Sequence, residues 1–253
     1  MSEEKVYMKT ILNNAITCSL DINYLNHFDN FYNSYKNLNM DIELFVRFID
    51  YTDKEKENVL KKYDVNHIFH NPMLSNKKTL FKTKNSFEIK NVYDIKNIKD
   101  MKKILYSPRS FYTCHSRFLT ILELLKKGYN ILSLDVDTIF LKPFDNIFNI
   151  EEDIATVIDV KNNDIFCNEG FLFFKNNDKV RNFIKKICTY IFTEENFTDW
   201  NADHYALHKF YDESIKIKML DSKYKDKEHL DSSIMWSGDG YNKYKEKFTS
   251  NLA

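Results

Sequence analysis

The segment Gly128–Phe148, GYNILSLDVDTIFLKPFDNIF, constrains this chain more than any other. A short apolar run, Ile131–Leu134, leads straight into Asp135 and Asp137, with Val136 between them. A second apolar patch, Ile139–Leu141, and a turn at Pro143 follow. The first run has the length of a buried strand. Carboxylates launched from the end of such a strand cost free energy unless something neutralises them. A divalent cation suits that task, because hard cations take oxygen ligands and neighbouring carboxylates share one ion. The bland alternative is that Asp-x-Asp after a strand only caps the next turn. The pattern around the pair has to decide.

Upstream, Asn14–Leu20 reads as a strand ending in the small polar residues Thr17 and Ser19. Asp21–Asn37 places Ile22, Leu25, Phe28, Tyr32 and Tyr35 at helical spacing. Ile42–Ile49 is strand-like, and Thr52 opens a capping box with Glu55 for a helix over Asp53–Lys62. Val65–Phe69 is a third strand. This β-α-β-α-β order with short connections predicts a mostly parallel sheet flanked by helices. Residues 71–101, rich in Lys and Asn, read as an exposed insertion without a functional signal.

From Ser107-Pro108 the periodicity predicts one helix with Phe111, Cys114, Phe118, Ile121, Leu122 and Leu125 on one face, stopped by Gly128. On that helix Cys114-His115 has no partner pair at zinc spacing and reads as inert packing. Asp135 and Asp137 then stand at the carboxyl end of a sheet strand, where open α/β sheets bind ligands. Downstream, Ile154–Val160 and Gly170–Phe174 read as strands, Asn177–Phe192 and Phe197–Tyr211 as helices, and Ile217–Leu220 opens the tail. No repeat or shift in composition calls for a boundary, so one domain is expected.

Lys and Arg together number 37, as do Asp and Glu, so the formal net charge is zero. A nucleic-acid partner or an anionic membrane usually needs a basic excess, and neither is expected. The four cysteines form no Cys-x-x-Cys pair and read as buried thiols of a reducing compartment. The start, MSEEKVYMKT, lacks the apolar run of a signal peptide. No stretch reaches the roughly 18 apolar residues of a membrane helix. The expected location is cytoplasmic.

The stretch SRFLTILELLKKGYNILSLDVDTIFLKPF resembles the core of nucleotide-sugar glycosyltransferases with the GT-A fold, of the Asp-x-Asp-containing, family-8-like kind. Asp135, Val136 and Asp137 fall on that family's motif, and Arg117 falls on the helix residue that reaches the nucleotide. Three further elements match in order. Asn168-Glu169-Gly170 resembles the Asn-x-Gly element facing the donor sugar. TDWNADHYAL resembles the helix start that contacts the sugar, with Asp203 at the acidic position and His204 in place of a glutamine. Trp236-Ser237-Gly238 resembles the loop that closes over the diphosphate, with Lys243 as phosphate clamp.

The resemblance implies a Rossmann-like α/β fold, a mixed, mostly parallel sheet flanked by helices, in one domain spanning residues 1–253. A nucleotide-binding half covers about 14–144 and a sugar and acceptor half about 145–250. It implies a nucleoside-diphosphate sugar donor, UDP-linked, with Mn2+ or Mg2+ at Asp135 and Asp137, and transfer with retention. Thr17 would line the base and ribose pocket. Arg117, Gly238 and Lys243 would hold nucleotide and phosphates, and Asn168 and Asp203 would orient the sugar at the reacting carbon. The acceptor, whether glycan, glycoprotein or glycolipid, is left unspecified.

Two departures stand out. Met235 occupies the place of a metal-binding histidine, and Lys243 lies two residues late. Either Asp239 supplies a third protein ligand or water completes the shell. A haloacid-dehalogenase-type phosphatase is the rival reading, with Asp135 as nucleophile and Gly238-Asp239-Gly240-Tyr241-Asn242 as its last motif. It is disfavoured because that Asp-x-Asp normally opens its fold. A third reading, a sugar-binding module on an inactive transferase fold, needs no metal pair.

Overall fold

Strand β1 (Asn13–Leu20) lies inside the main sheet, and its alternation decides how the layers are built. Ile16, Cys18 and Leu20 face one apolar core, while Ala15 faces the other. A strand packed on both faces is largely apolar, as strands covered by helices on either side are. The computed structural model describes residues 13–70, 108–157, 170–192, 199 and 201–238.

A 3-10 turn at Ile22–Tyr24 follows β1, capped by Asp21, whose Oδ1 accepts from the Asn23 N–H at 2.9 Å. The expected helix therefore starts later, as α1 (Leu25–Asn37). Strand β2 (Glu43–Ile49), helix α2 (Asp53–Lys62) and strand β3 (Asn66–His70) complete the first unit. The capping box is formed as expected: the Glu55 N–H donates to Thr52 Oγ1 and the Thr52 N–H donates to Glu55 Oε2. The 71–101 insertion lies outside the described residues.

The single helix expected from residue 107 is two helices, α3 (Pro108–His115) and α4 (Arg117–Lys126). At the junction the Arg117 Nε donates to the Cys114 carbonyl at 2.8 Å. A side chain that takes a backbone carbonyl in this way competes with the helical ladder and favours a break. Gly128 follows α4 in the left-handed region, φ 99°, as a glycine after a helix end commonly does.

Strand β4 (Tyr129–Leu134) carries the aspartates at its end. Strands β5 (Thr138–Phe140), β6 (Ile154–Val157) and β7 (Phe171–Phe174) follow. Then come α5 (Asp178–Ile191), α6 (Ala202–Phe210), β8 (Ile217–Leu220) and β9 (Met235–Ser237). The main sheet has seven strands in the order β3-β2-β1-β4-β7-β6-β8. Only β7 runs against the others, paired antiparallel with both β4 and β6. Helices α1 and α2 cover one face, and α3 to α6 cover the other. This is the mixed, mostly parallel, helix-flanked sheet expected.

The apolar patch after the aspartates is β5, which pairs with β9 in a separate two-stranded sheet. Trp236 and Ser237, expected in a closing loop, are therefore buried strand residues. Met235 is packed in the core and faces Phe140 in the ladder. Among the described residues no helix is long and apolar enough to cross a membrane. Replacing the helix cap, Thr52→Ala, removes the hydroxyl that accepts from the Glu55 N–H; we expect a loss of about 1 kcal/mol. Thermal unfolding should show a fall in Tm of roughly 2–4 °C.

Candidate active site

Backbone hydrogen bonds shape the turn at the end of β4. The Asp135 N–H donates to the Gly170 carbonyl at 3.0 Å, and the Thr138 N–H donates to the Asp135 carbonyl at 3.2 Å. Val136 is buried in the core and anchors the turn from beneath. The Asp137 side chain is buried, and its carbonyl accepts from the Gly238 N–H at 2.7 Å. The chain therefore leaves β9 at the second aspartate.

Asp135 is held from two sides. Its Oδ1 accepts from Arg117 Nη1 at 2.9 Å, and Lys225 Nζ stands 3.6 Å from Oδ2. The Arg117 guanidinium is fixed in turn by its bond to the Cys114 carbonyl, so the break between α3 and α4 sets its direction. The Lys225 side chain is 6% exposed, at the end of a 3-10 turn, Ser222–Lys225. A lysine this buried is rare unless paired. Space for the pair comes from Gly170: a Cβ there would lie 1.9 Å from Asp135 Oδ2 and 2.3 Å from Lys225 Nζ.

Thr17 is fully buried and in register with Ser133 of β4. Thr17 Oγ1, Ser19 Oγ, Ser116 Oγ and Ser133 Oγ are buried without a hydrogen-bond partner among the described residues. An unpaired buried hydroxyl costs about 1–3 kcal/mol. Several beside the same turn suit a place where a polar ligand or water is received. Extending the β1–β4 register puts Ser19, not Thr17, level with Asp135.

Asp203 is buried in the first turn of α6. Its Oδ1 accepts from the His204 N–H at 2.9 Å and lies 3.3 Å from His115 Nε2. His115 Nδ1 lies 2.9 Å from the Phe111 carbonyl, which fits a donor at both ring nitrogens. Burial opposes charge on both groups, but each favours the charged form of the other. The His115 pKa is accordingly raised and that of Asp203 lowered. The sequence reading of Cys114-His115 as inert packing is therefore corrected: the histidine holds the one acid expected beside the sugar.

Arg117, Asp135, Asp137 and Gly238 thus gather at the carboxyl end of β4. Arg117 pairs with Asp135, whereas Glu123 pairs with Arg47 and Lys127. Asn168, Asp239 and Lys243 lie outside the described residues. Sequence reasoning missed Lys225, because nothing in SKYKDK marks which lysine turns inward.

The family described as nucleotide-diphospho-sugar transferase matches residues 52–246, which is most of the chain. The chain belongs to that family. The transferase also has the fold of solved glycosyltransferases. With an active-site mutant of LgtC it shares a TM-score of 0.53 at 13% identity, covering 89% of this chain and 87% of LgtC. With the bifunctional WbbM the TM-score is 0.57 at 12% identity, covering 96% and 50% of the two chains. With GlyE of Streptococcus pneumoniae TIGR4 it is 0.51 at 14% identity, covering 84% and 46%. The transferase therefore spans about half the length of GlyE and WbbM. No curated protein matches it in sequence.

Family membership sets the phosphatase reading aside.

Two outcomes are expected. The stability that His115 gains from Asp203 is fully present below its unfolded pKa of about 6.5 and is lost as pH rises through its higher folded value. Urea unfolding between pH 6 and 9 should show that decline, and His115→Gln should flatten it; an unchanged slope would contradict the pairing. Gly170→Ala should displace Asp135 or Lys225 and lower donor affinity at least tenfold with the fold retained, read by calorimetry and circular dichroism.

Proposed function

We propose that this chain transfers a sugar from a UDP-linked donor to an acceptor, with a divalent cation and with retention. The observation that carries the reading is the Arg117–Asp135–Lys225 cluster at the end of β4, with Gly238 tied to Asp137 beside it. Cleaving a sugar–diphosphate bond leaves negative charge on the departing diphosphate. The fitting site is one where cations and backbone N–H groups converge before reaction, because preorganised charge is worth more than charge that must reorganise.

Among the described residues no cluster of three metal-ligating side chains occurs. Asp135 and Asp137 still fit a hard cation, since Mg2+-type sites use one or two carboxylates and complete their shell with substrate phosphates and water. Mn2+ or Mg2+, held chiefly by Asp137 with Asp135, would neutralise charge on the leaving diphosphate. Asp239 or water would complete the ligands.

The chain's own residues account for the rest. Arg117 offers a rigid fork fixed at Cys114 and suited to phosphate or ribose oxygens. Gly238 and Lys243 would meet the diphosphate, and Thr17 with its neighbouring hydroxyls the ribose and base. Asp203 is kept ionised by His115, so it accepts hydrogen bonds from sugar hydroxyls and is poorly suited to donate a proton. Asn168 would orient the same sugar. Retention needs no strong general base, and Asp203, held ionised by His115, accords with that.

A thermal-shift panel of UDP, GDP and CMP sugars, with and without Mn2+, tests the reading. Saturation at about 100 times Kd adds about 2.7 kcal/mol of apparent stability. UDP sugars should raise Tm and the others should not; no shift with any nucleotide sugar would contradict it. Asp137→Ala should fold normally and lose metal-dependent turnover, at least a hundredfold in kcat.

A further inference from the structure

Two carboxylates alone would repel an anionic diphosphate and could receive it only through a bound cation. Here two protein cations, Arg117 and Lys225, converge on the Asp135 carboxylate at this turn. Lys225 is the unexpected member. It arrives from beyond β8, where the Asp226 N–H donates to the Met235 carbonyl at 3.0 Å and the Ser237 N–H to the Asp226 carbonyl at 2.7 Å. Those bonds fix the backbone just after Lys225 against β9, and Gly170 clears the space its ammonium occupies. Burying an ammonium is costly, and it is retained where a nearby anion offsets the desolvation. With Arg117 on Asp135 Oδ1 and Lys225 near Oδ2, both oxygens of that carboxylate face a protein cation. Met235, in the place of a histidine ligand, is packed in the core and cannot ligate.

We propose that Lys225 is a positioning residue that serves as a resident cation of the diphosphate site, holding Asp135 and supplying part of the charge compensation otherwise left to a divalent ion. Donor binding then persists without metal, and Lys225 competes with a metal for the Asp135 carboxylate. This rests on the proposed function.

The test measures binding of UDP and of inorganic pyrophosphate by calorimetry, in EDTA and in Mn2+. Binding of Mn2+ alone is followed by electron paramagnetic resonance. The wild-type chain should bind both anions in EDTA. Lys225→Met should lose about tenfold or more of that affinity, lose less in Mn2+, and bind Mn2+ alone more tightly because an Asp135 oxygen is released. Lys225→Arg should keep binding in EDTA, and melting curves should show both variants folded. If Lys225→Met binds both anions in EDTA as wild type does, the role is overturned. A wild-type chain that binds UDP only with Mn2+ overturns it too, yet leaves the proposed function standing. Failure to bind any nucleoside diphosphate in either buffer overturns both.

Discussion

The Arg117–Asp135 ion pair is the contact on which the site depends, because it joins the helical layer to the end of β4. Its strength comes from geometry more than from charge. Exposed ion pairs contribute little, but a guanidinium already fixed by a backbone carbonyl loses little further freedom on meeting a carboxylate. The Cys114 carbonyl supplies that fixation only because the helix breaks at Ser116. A continuous helix through residues 108–126 would use that carbonyl in its own ladder. A local defect in secondary structure thus becomes the means of aiming a charged group.

The sheet carries this arrangement into three dimensions. Strand β7, reversed between β4 and β6, brings Gly170 against the Asp135 N–H and carboxylate. The small β5–β9 sheet brings Gly238 to Asp137 from far along the chain. The pair of aspartates is therefore pinned by two later segments of the chain, which leaves it little room to relax when charge is added or removed. On the neighbouring helices, His115 and Asp203 form a second, drier ion pair joining α3 to α6. Among the described residues, Asp135 and Asp203 at this end are both paired, so a ligand entering there meets preset charges.

Much of this was legible in the residues. The β-α-β-α-β opening, the Thr52–Glu55 capping box and the strand running into Asp-x-Asp all rest on short-range periodicity and local hydrogen bonding, which sequence reports directly. Strand order was not legible, since the reversal of β7 depends on pairing between distant segments. The helix break escaped because Phe111, Phe118, Ile121 and Leu125 keep a helical spacing straight across Ser116. Lys225 escaped for a different reason: its burial is decided by β9 and Gly170, not by its neighbours. His115 looked like packing because its partner lies on another helix.

On the proposed function, the diphosphate of a nucleotide-sugar donor binds at the carboxyl end of β4. A crystal structure grown with UDP and Mn2+, with an anomalous difference map at the manganese edge, tests it most directly. A manganese peak is expected within coordination distance of the Asp137 carboxylate, with the diphosphate between it and the Arg117, Lys225 and Gly238 cluster. Manganese and UDP seated away from β4, with Asp135 and Asp137 untouched, would contradict it.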